Sequence, residues 1–285
     1  MENNKYRKIN FLIMLKELHQ ILGSITKALD IIYVIENVKP VSRVISTEGL
    51  LKFLEKKGLQ FSESDFKIRT IHNTTESYTD KGVKLEKGEE GKSLLYISKS
   101  KKLANDAKML ESENNHTELG KLLGYPECCC KFFQKYFSEK NTDLTEFSFR
   151  ESKGHKFPWQ NNNCMRVFDI SLISHFPCSF NCLETKKIAD KNLEIVNKYD
   201  SDIAGYYSFA LKTAVLYAHA VGVYSFPNSI FSDNTLKYKK IIPSAKNDLY
   251  SMIKTRNRIK IIDRNHFLVN EVSVKDPQTF LGIFS

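Results

Sequence analysis

The sequence predicts a mixed α/β fold, with α+β as its variant, on three observations. Segments of β-branched or alternating residues recur through the first hundred positions, helical spacing takes over after Lys101, and strand-like alternation returns in the tail. Three regions are therefore expected: a small N-terminal α/β region over 1–100, a mainly helical region with a cysteine-rich site over 101–226, and a strand-rich region over 227–285 packed on the rest. With 285 residues, 41% apolar and 27% charged, the chain can bury one large core or two modest ones.

Residues 9–29 place Phe11, Leu12, Leu15, Leu18, Leu22 and Ile25 at helical spacing. "DIIYVIEN" and, after Pro40, "VSRVIS" are β-branched and predict strands. "TEGLLKFLEKKG" predicts a helix capped by Thr47 and stopped by Gly58. "FKIRTIH" alternates like a half-buried strand, and "GVKLEKGEEGKSLLYISKS" predicts a hairpin turning at Gly88 and Gly91. "KKLANDAKMLESE" and "TELGKLLG" predict two short helices, the second ended by Gly124. A polar connector near "EKNTDLTE" and an aromatic loop, "GHKFPWQNNN", follow. The longest helical region is expected from Pro177 to about Val223, with Ile188, Leu193, Ile195, Val196 and Tyr199 on one face. "KYKKIIP", "NRIKIID" and "HFLVNEVSV" then predict strands.

Composition narrows the function classes. "MENNKYRKINFLIMLKELHQ" imitates a signal peptide, but Lys16 and Glu17 interrupt its apolar run and no cleavage site follows, so a cytoplasmic protein is expected. Ile203–Val223 is long enough to span a bilayer, yet Lys212 in its middle and His219 near its end favour a buried core helix and no membrane partner. The net charge of +10 suits a polyanion, but the lysines mix with acids and equally describe a solvated surface.

All six cysteines lie between positions 128 and 182. "YPECCCKFFQKYF" and "HFPCSFNCLETKKIA" each put proline before a helical pattern, so both are expected to be helix starts, whose free N–H groups favour anionic ligands. Cys178 and Cys182, four apart, would share a helix face, and His175 could fold back toward them as a third ligand. Consecutive helical residues point about 100° apart, so only one or two of Cys128, Cys129 and Cys130 can reach one ion. Free cysteine is commonly a core filler, but this clustering favours metal ligation. Disulfides fit a reducing compartment poorly.

"GKLLGYPECC" and "SHFPCSFNC" resemble an uncharacterised prokaryotic family, domain of unknown function 483, over about residues 94–190. The resemblance carries over Gly124, Tyr125, Pro126, Cys128, Cys129, Pro177, Cys178 and Cys182, and leaves Cys130 and Cys164 outside. It implies a shared site and names no reaction.

Around the thiols, Arg166 in "FPWQNNNCMRVFD" could orient a carboxylate or phosphate, with Trp159 as a packing anchor in the alternative. Glu127 and Glu184 could move protons, or simply favour the helix dipole. Lys212 and His219, seven apart, would share a helix face. The leading expectation is an iron–sulfur-dependent enzyme acting on a small polar metabolite or modified nucleotide. Cys128 or Cys129 with His175, Cys178 and Cys182 would hold the metal, and Cys129, Arg166 and Glu127 would serve catalysis. The alternatives are a zinc-stabilised nucleic-acid-binding protein of tRNA modification and a metal-free thiol enzyme for sulfur transfer or redox chemistry. Oligomeric state is not legible.

Overall fold

A computed structural model describes residues 2–70, 82–86, 88–138 and 141–285, with side chains from residue 6 onward. The mixed α/β class holds. Two compact units divide the chain: Met1–Thr142 with Asp190–Asp202, and Asp143–Ala189 with Ile203–Ser285.

In the first unit, α1 (Glu2–Leu22) buries Phe11, Leu15 and Leu18, and Phe11 stacks on Tyr199 at 4.8 Å. The helix predicted over 9–29 breaks at Gly23, whose φ of 67° suits glycine, and Ser24 caps α2 (Ile25–Ile35) by accepting from the Lys27 N–H. "DIIYVIEN" is thus helix as far as Ile35 and not strand: Ala28 to Val34 are all buried, and a short run of buried β-branched residues reads as strand or helix alike. β1 (Val41–Ile45) and α3 (Glu48–Lys56), capped by Thr47 with Gly58 at positive φ, follow as expected. β2 (Gln60–Thr70), β3 (Gly82–Lys84) and β4 (Lys92–Ser98) complete a sheet of order β1-β4-β2-β3. The predicted hairpin does not form, because β3 and β4 each pair with β2 and not with each other. His72 of "FKIRTIH" and parts of the predicted hairpin and of the polar connector lie outside the described residues.

Three helices lead to the thiols, the first two with side-chain caps. Ser100 caps α4 (Lys101–Ser112) and Asn115 caps α5 (His116–Leu122), each accepting from a first-turn N–H. α6 (Glu127–Tyr136) starts with Pro126 at its N-cap. An ionic clamp holds α4 to the sheet: Glu111 takes two bonds from Arg43 at 2.6 and 2.7 Å and one from the Tyr96 hydroxyl at 2.7 Å. Burial alone would raise the Glu111 pKa, but the Arg43 guanidinium and the Tyr96 hydroxyl outweigh it and hold the carboxyl below its ordinary value.

The second unit opens with α7 (Thr145–Arg150) and β5 (Lys156–Phe157). Next in the chain come α8 (Leu183–Tyr199) and α9 (Ser201–Leu211), of which Asp190–Asp202 belong to the first unit, then β6 (Ala214–Ala218) and β7 (Gly222–Phe226) of the second. Two expectations fail here. No helix begins at Pro177, since α8 starts at Leu183, and the apolar run Ile203–Val223 is not one helix but α9, β6 and the start of β7. Every residue of β6 is buried, so the strand shows no alternation and reads like core helix. Lys212 and His219 accordingly share no helix face; Lys212 Nζ lies 5.2 Å from the Trp159 ring, and His219 Nδ1 is 3.2 Å from the Tyr217 hydroxyl.

The tail supplies β8 (Ile230–Ser232), β9 (Thr235–Lys237), β10 (Ile242–Pro243) and α10 (Asp248–Lys254). β11 (Arg258–Asp263), β12 (His266–Val269), β13 (Val272–Lys275) and β14 (Thr279–Phe284) end it. These strands form two five-stranded sheets, β10-β7-β6-β14-β5 and β13-β12-β11-β9-β8, antiparallel throughout except for the β14–β5 pair. Leu216, Tyr224, Phe226, Leu236, Ile259, Phe267 and Val269 belong to one apolar core under both. Among the described residues, no helix is long and apolar enough to cross a membrane.

Candidate metal centre

The first thiol arm is built by close packing around "LGYP". Gly120 on α5 sits so near α6 that a Cβ there would stand 2.7 Å from Cys130 Sγ. Gly124 has φ +80°, and a Cβ on it would be 3.0 Å from Pro40 Cδ, so both conformation and space call for glycine. The Tyr125 ring receives Lys39 Nζ at 4.9 Å from its centroid, a cation–π contact. Lys39 is buried and bonded to Asp30 Oδ1 at 2.7 Å, while Ser42 Oγ donates to Asp30 Oδ2 at 2.6 Å. Burial lowers the Lys39 pKa, but the Asp30 carboxylate and Tyr125 overcome that and raise it, so the ammonium stays charged.

From this anchor α6 presents its first-turn residues. Cys128 is exposed and Cys129 buried, with their sulfurs 3.9 Å apart. Cys130 turns away into the packing: its sulfur lies 3.7 Å from the Tyr125 carbonyl, and burial pushes its thiol up to about 11. Of the three adjacent thiols, Cys128 and Cys129 are the two whose sulfurs lie together.

The second arm is a turn held from three sides within its own unit. Ser148 Oγ on α7 donates to the Pro177 carbonyl at 2.6 Å, and Ser152 Oγ accepts from the Phe180 N–H at 2.7 Å. Asn161 Nδ2 donates to the carbonyls of both Phe180 and Cys182, at 3.0 and 2.9 Å. Phe180, fully buried, packs its ring among Phe157, Phe280 and Phe284. The turn ends where Cys182 occupies the position before α8 and its sulfur accepts from the Thr185 N–H at 3.5 Å, the geometry of an N-cap with sulfur in place of oxygen. Cys178 and Cys182 therefore do not share a helix face; a tight turn brings them together, closed by the Cys182 N–H on the Ser179 carbonyl at 3.0 Å.

The ligating atoms of Cys128, Cys129, Cys178 and Cys182 all lie within 4.8 Å of one another, and this group could hold a metal ion. A tetrahedral ion with metal–sulfur bonds of about 2.3 Å sets its sulfurs about 3.8 Å apart, so the spacing fits a single ion after a small contraction. Cys128 and Cys129 stand in the first turn of α6 and Cys182 at the N-cap of α8, and the partial positive charge of a helix N-terminus suits a thiolate.

The other expected site residues stand elsewhere. His175 is buried with Nε2 3.0 Å from Thr185 Oγ1, so that nitrogen faces a hydroxyl rather than the thiols. Arg166 donates to the carbonyls of Ile173 and His175 at 3.4 and 3.2 Å and lies over the Phe176 ring, which makes it a positioning group for the turn before Cys178. Glu127 is exposed and paired with Lys131 at 2.8 Å, which lowers its pKa. Glu184 pairs with Lys187 at 2.7 Å. Cys164 is fully buried outside the group, and burial pushes its thiol well up. The oxygens of Asn161 and Asn162 and both amide atoms of Asn163 are buried without a hydrogen-bond partner among the described residues. Sequence reasoning missed Gly120, Ser148, Ser152 and Asn161 as supports; of these, Gly120 and Asn161 stood in segments singled out above, and the two serines did not.

Residues 102–204 match the model of a family described as Protein of unknown function (DUF483), the family that the "LGYPECC" and "FPCSFNC" segments resemble. This interval contains all four clustered cysteines. No curated protein and no solved structure matches the chain.

Proposed function

We propose that this chain is a metalloprotein that holds one tetrahedral ion, zinc by preference, on Cys128, Cys129, Cys178 and Cys182. The observation that carries this reading is the common spacing of the four sulfurs, none more than 4.8 Å from another. An iron–sulfur cluster inserts two or four irons between its ligands and spreads the outer thiolates to on the order of 6 Å, so the compact spacing supports a single ion over the cluster expected from sequence. Four thiolates also fill the tetrahedral shell. A filled shell suits a structural ion better than an open one that would take a small polar metabolite or modified nucleotide as substrate.

Such an ion links segments about fifty residues apart in sequence, and binding free energy becomes folding free energy. The engagement of Arg166 with backbone carbonyls, and of Glu127 with Lys131, supports a structural centre in the same way, since neither group is held ready for a substrate. Metal analysis of protein purified without chelator tests the reading. About one zinc per chain is expected, falling to a small fraction in Cys178→Ser and unchanged in Cys164→Ser. A brown protein carrying iron and acid-labile sulfide would overturn it in favour of a cluster, and a metal-free protein would overturn both.

A further inference from the structure

The charge of +10 is not spread evenly. Between Lys237 and Lys260, "KYKKIIPSAKNDLYSMIKTRNRIK" holds eight basic residues and one acidic residue, Asp248, a net +7. All eight are exposed. Among the described residues only Arg258 of these eight has an ion pair, with Glu271 at 2.7 Å.

Sheet register concentrates this charge on one face. β9 and β11 pair antiparallel with Lys237 opposite Arg258 and Thr235 opposite Lys260. The alternate residues Leu236, Ile259 and Ile261 are buried in the core, so Lys237, Arg258 and Lys260 point to solvent. One step beyond the ladder, the Tyr238 N–H donates to the Asn257 carbonyl at 3.0 Å, which carries Lys239 and Arg256 to the same end of the ribbon. Like charges directly opposite each other destabilise a sheet. Glu271 offsets this at Arg258, which leaves Lys237, Lys239, Arg256 and Lys260 as the cations of this face without an ion pair among the described residues.

The neighbours on this face describe the polyanion. Ile230, 67% exposed, pairs with Lys237, and Leu268 pairs with Lys260, so apolar surface flanks the cations on both sides. A duplex buries its bases and offers nothing for such surface, whereas an unpaired strand presents them. Ser232, Thr235 and Ser273 lie in the same row as Lys260; Thr235 donates to the Asp233 carbonyl and Ser273 meets His266, which leaves the exposed Ser232 hydroxyl to bond a ribose. We propose that the solvent face of the β8-β9-β11-β12 sheet binds single-stranded RNA, with Lys237, Lys239, Arg256 and Lys260 on its phosphates.

The test is fluorescence anisotropy of the full chain with a labelled twenty-nucleotide RNA at several salt concentrations. Wild-type binding is expected to weaken steeply with salt. The triple substitution Lys237→Gln, Lys239→Gln, Arg256→Gln is expected to weaken it at least tenfold and to cut the salt slope by about 2, at about 0.7 per phosphate contact on a single strand. A charge-matched control, Lys92→Gln, Lys102→Gln, Lys191→Gln, should bind like wild type, and both variants should keep the wild-type thermal midpoint or exceed it. Equal loss in the control would reduce the binding to diffuse net charge and overturn the proposal. So would absence of RNA binding, equal affinity for single-stranded DNA, or binding to anionic phosphatidylserine vesicles but not to RNA. The metal content of these variants is read separately, so failure here leaves the thiol centre untouched.

Discussion

Gly120 shows how much of the thiol site depends on single atoms. With 2.7 Å between an added Cβ and Cys130 Sγ, and Cys130 itself buried, the sulfur has little room to yield. Gly120→Ala is expected to destabilise the fold by about 1–3 kcal/mol through overpacking, measured by urea denaturation. A stability equal to wild type would mean that α5 and α6 part more easily than their packing implies. The pair of glycines in "LGKLLGYP" was only half legible: Gly124 announced itself as a helix stop, whereas the need for Gly120 arises from a helix ten residues onward and leaves no local mark. His175 shows the opposite error. Its spacing from Cys178 suggested a ligand, but spacing measures sequence distance and not the direction of a ring that faces Thr185.

At the scale of elements, the clamp of Glu111 on α4 with Arg43 on β1 and Tyr96 on β4 gives a pH dependence with a definite sign. The folded-state pKa of Glu111 lies below its ordinary value of 4.5. Its contribution is therefore fully present above the unfolded-state pKa and is lost as pH falls through the folded-state one. Denaturation midpoints taken between about pH 6 and pH 3 should fall more steeply in wild type than in Glu111→Gln, which starts less stable and has less to lose. Parallel profiles would remove Glu111 from the acid response. Local signals served well where they were read: the cap Thr47 and the stops Gly58 and Gly124 mark real helix ends, while the caps Ser100 and Asn115 emerged only from the structure. They failed where burial is complete on all sides. α2 looked like a strand and β6 like a helix, because an apolar run without polar punctuation shows neither period. The β2–β3 and β2–β4 pairings were illegible for another reason, since a central strand pairs with segments on both sides and only one of them can be its hairpin neighbour.

For the molecule as a whole, the mixed class and the clustering of the cysteines were readable from sequence, whereas Cys130 and Cys164 stood apart only by falling outside the two segments of the family resemblance. The turn that gathers Cys178 and Cys182 was not, because it rests on serines and an asparagine from α7 and the aromatic loop. If a single ion closes this centre, its removal is a global event. At metal concentrations one hundred times the dissociation constant, chelation withdraws about 2.7 kcal/mol of linkage free energy. Differential scanning calorimetry should then register a midpoint lower by on the order of 10 °C, at about 2–4 °C per kcal/mol for a chain of this size. A midpoint indifferent to chelator in metal-loaded protein would show that the ion does not support the fold.

The position of β14 has a consequence for how the chain can be made. β6 has β7 on one side and β14 on the other, and β14 in turn joins the edge strand β5, so β6 is the middle of the sheet and residues 279–284 are an inner strand of it. During synthesis the β6–β7 hairpin is complete at Phe226 and must wait, with one fully apolar edge open, while residues 227–284 are added, which takes on the order of several seconds at about 5–20 residues per second. An open apolar strand edge is a template for pairing with another nascent chain. Yield in cells should then hinge on what shields that edge during the interval, and slowing translation after Phe226 would lengthen the exposure.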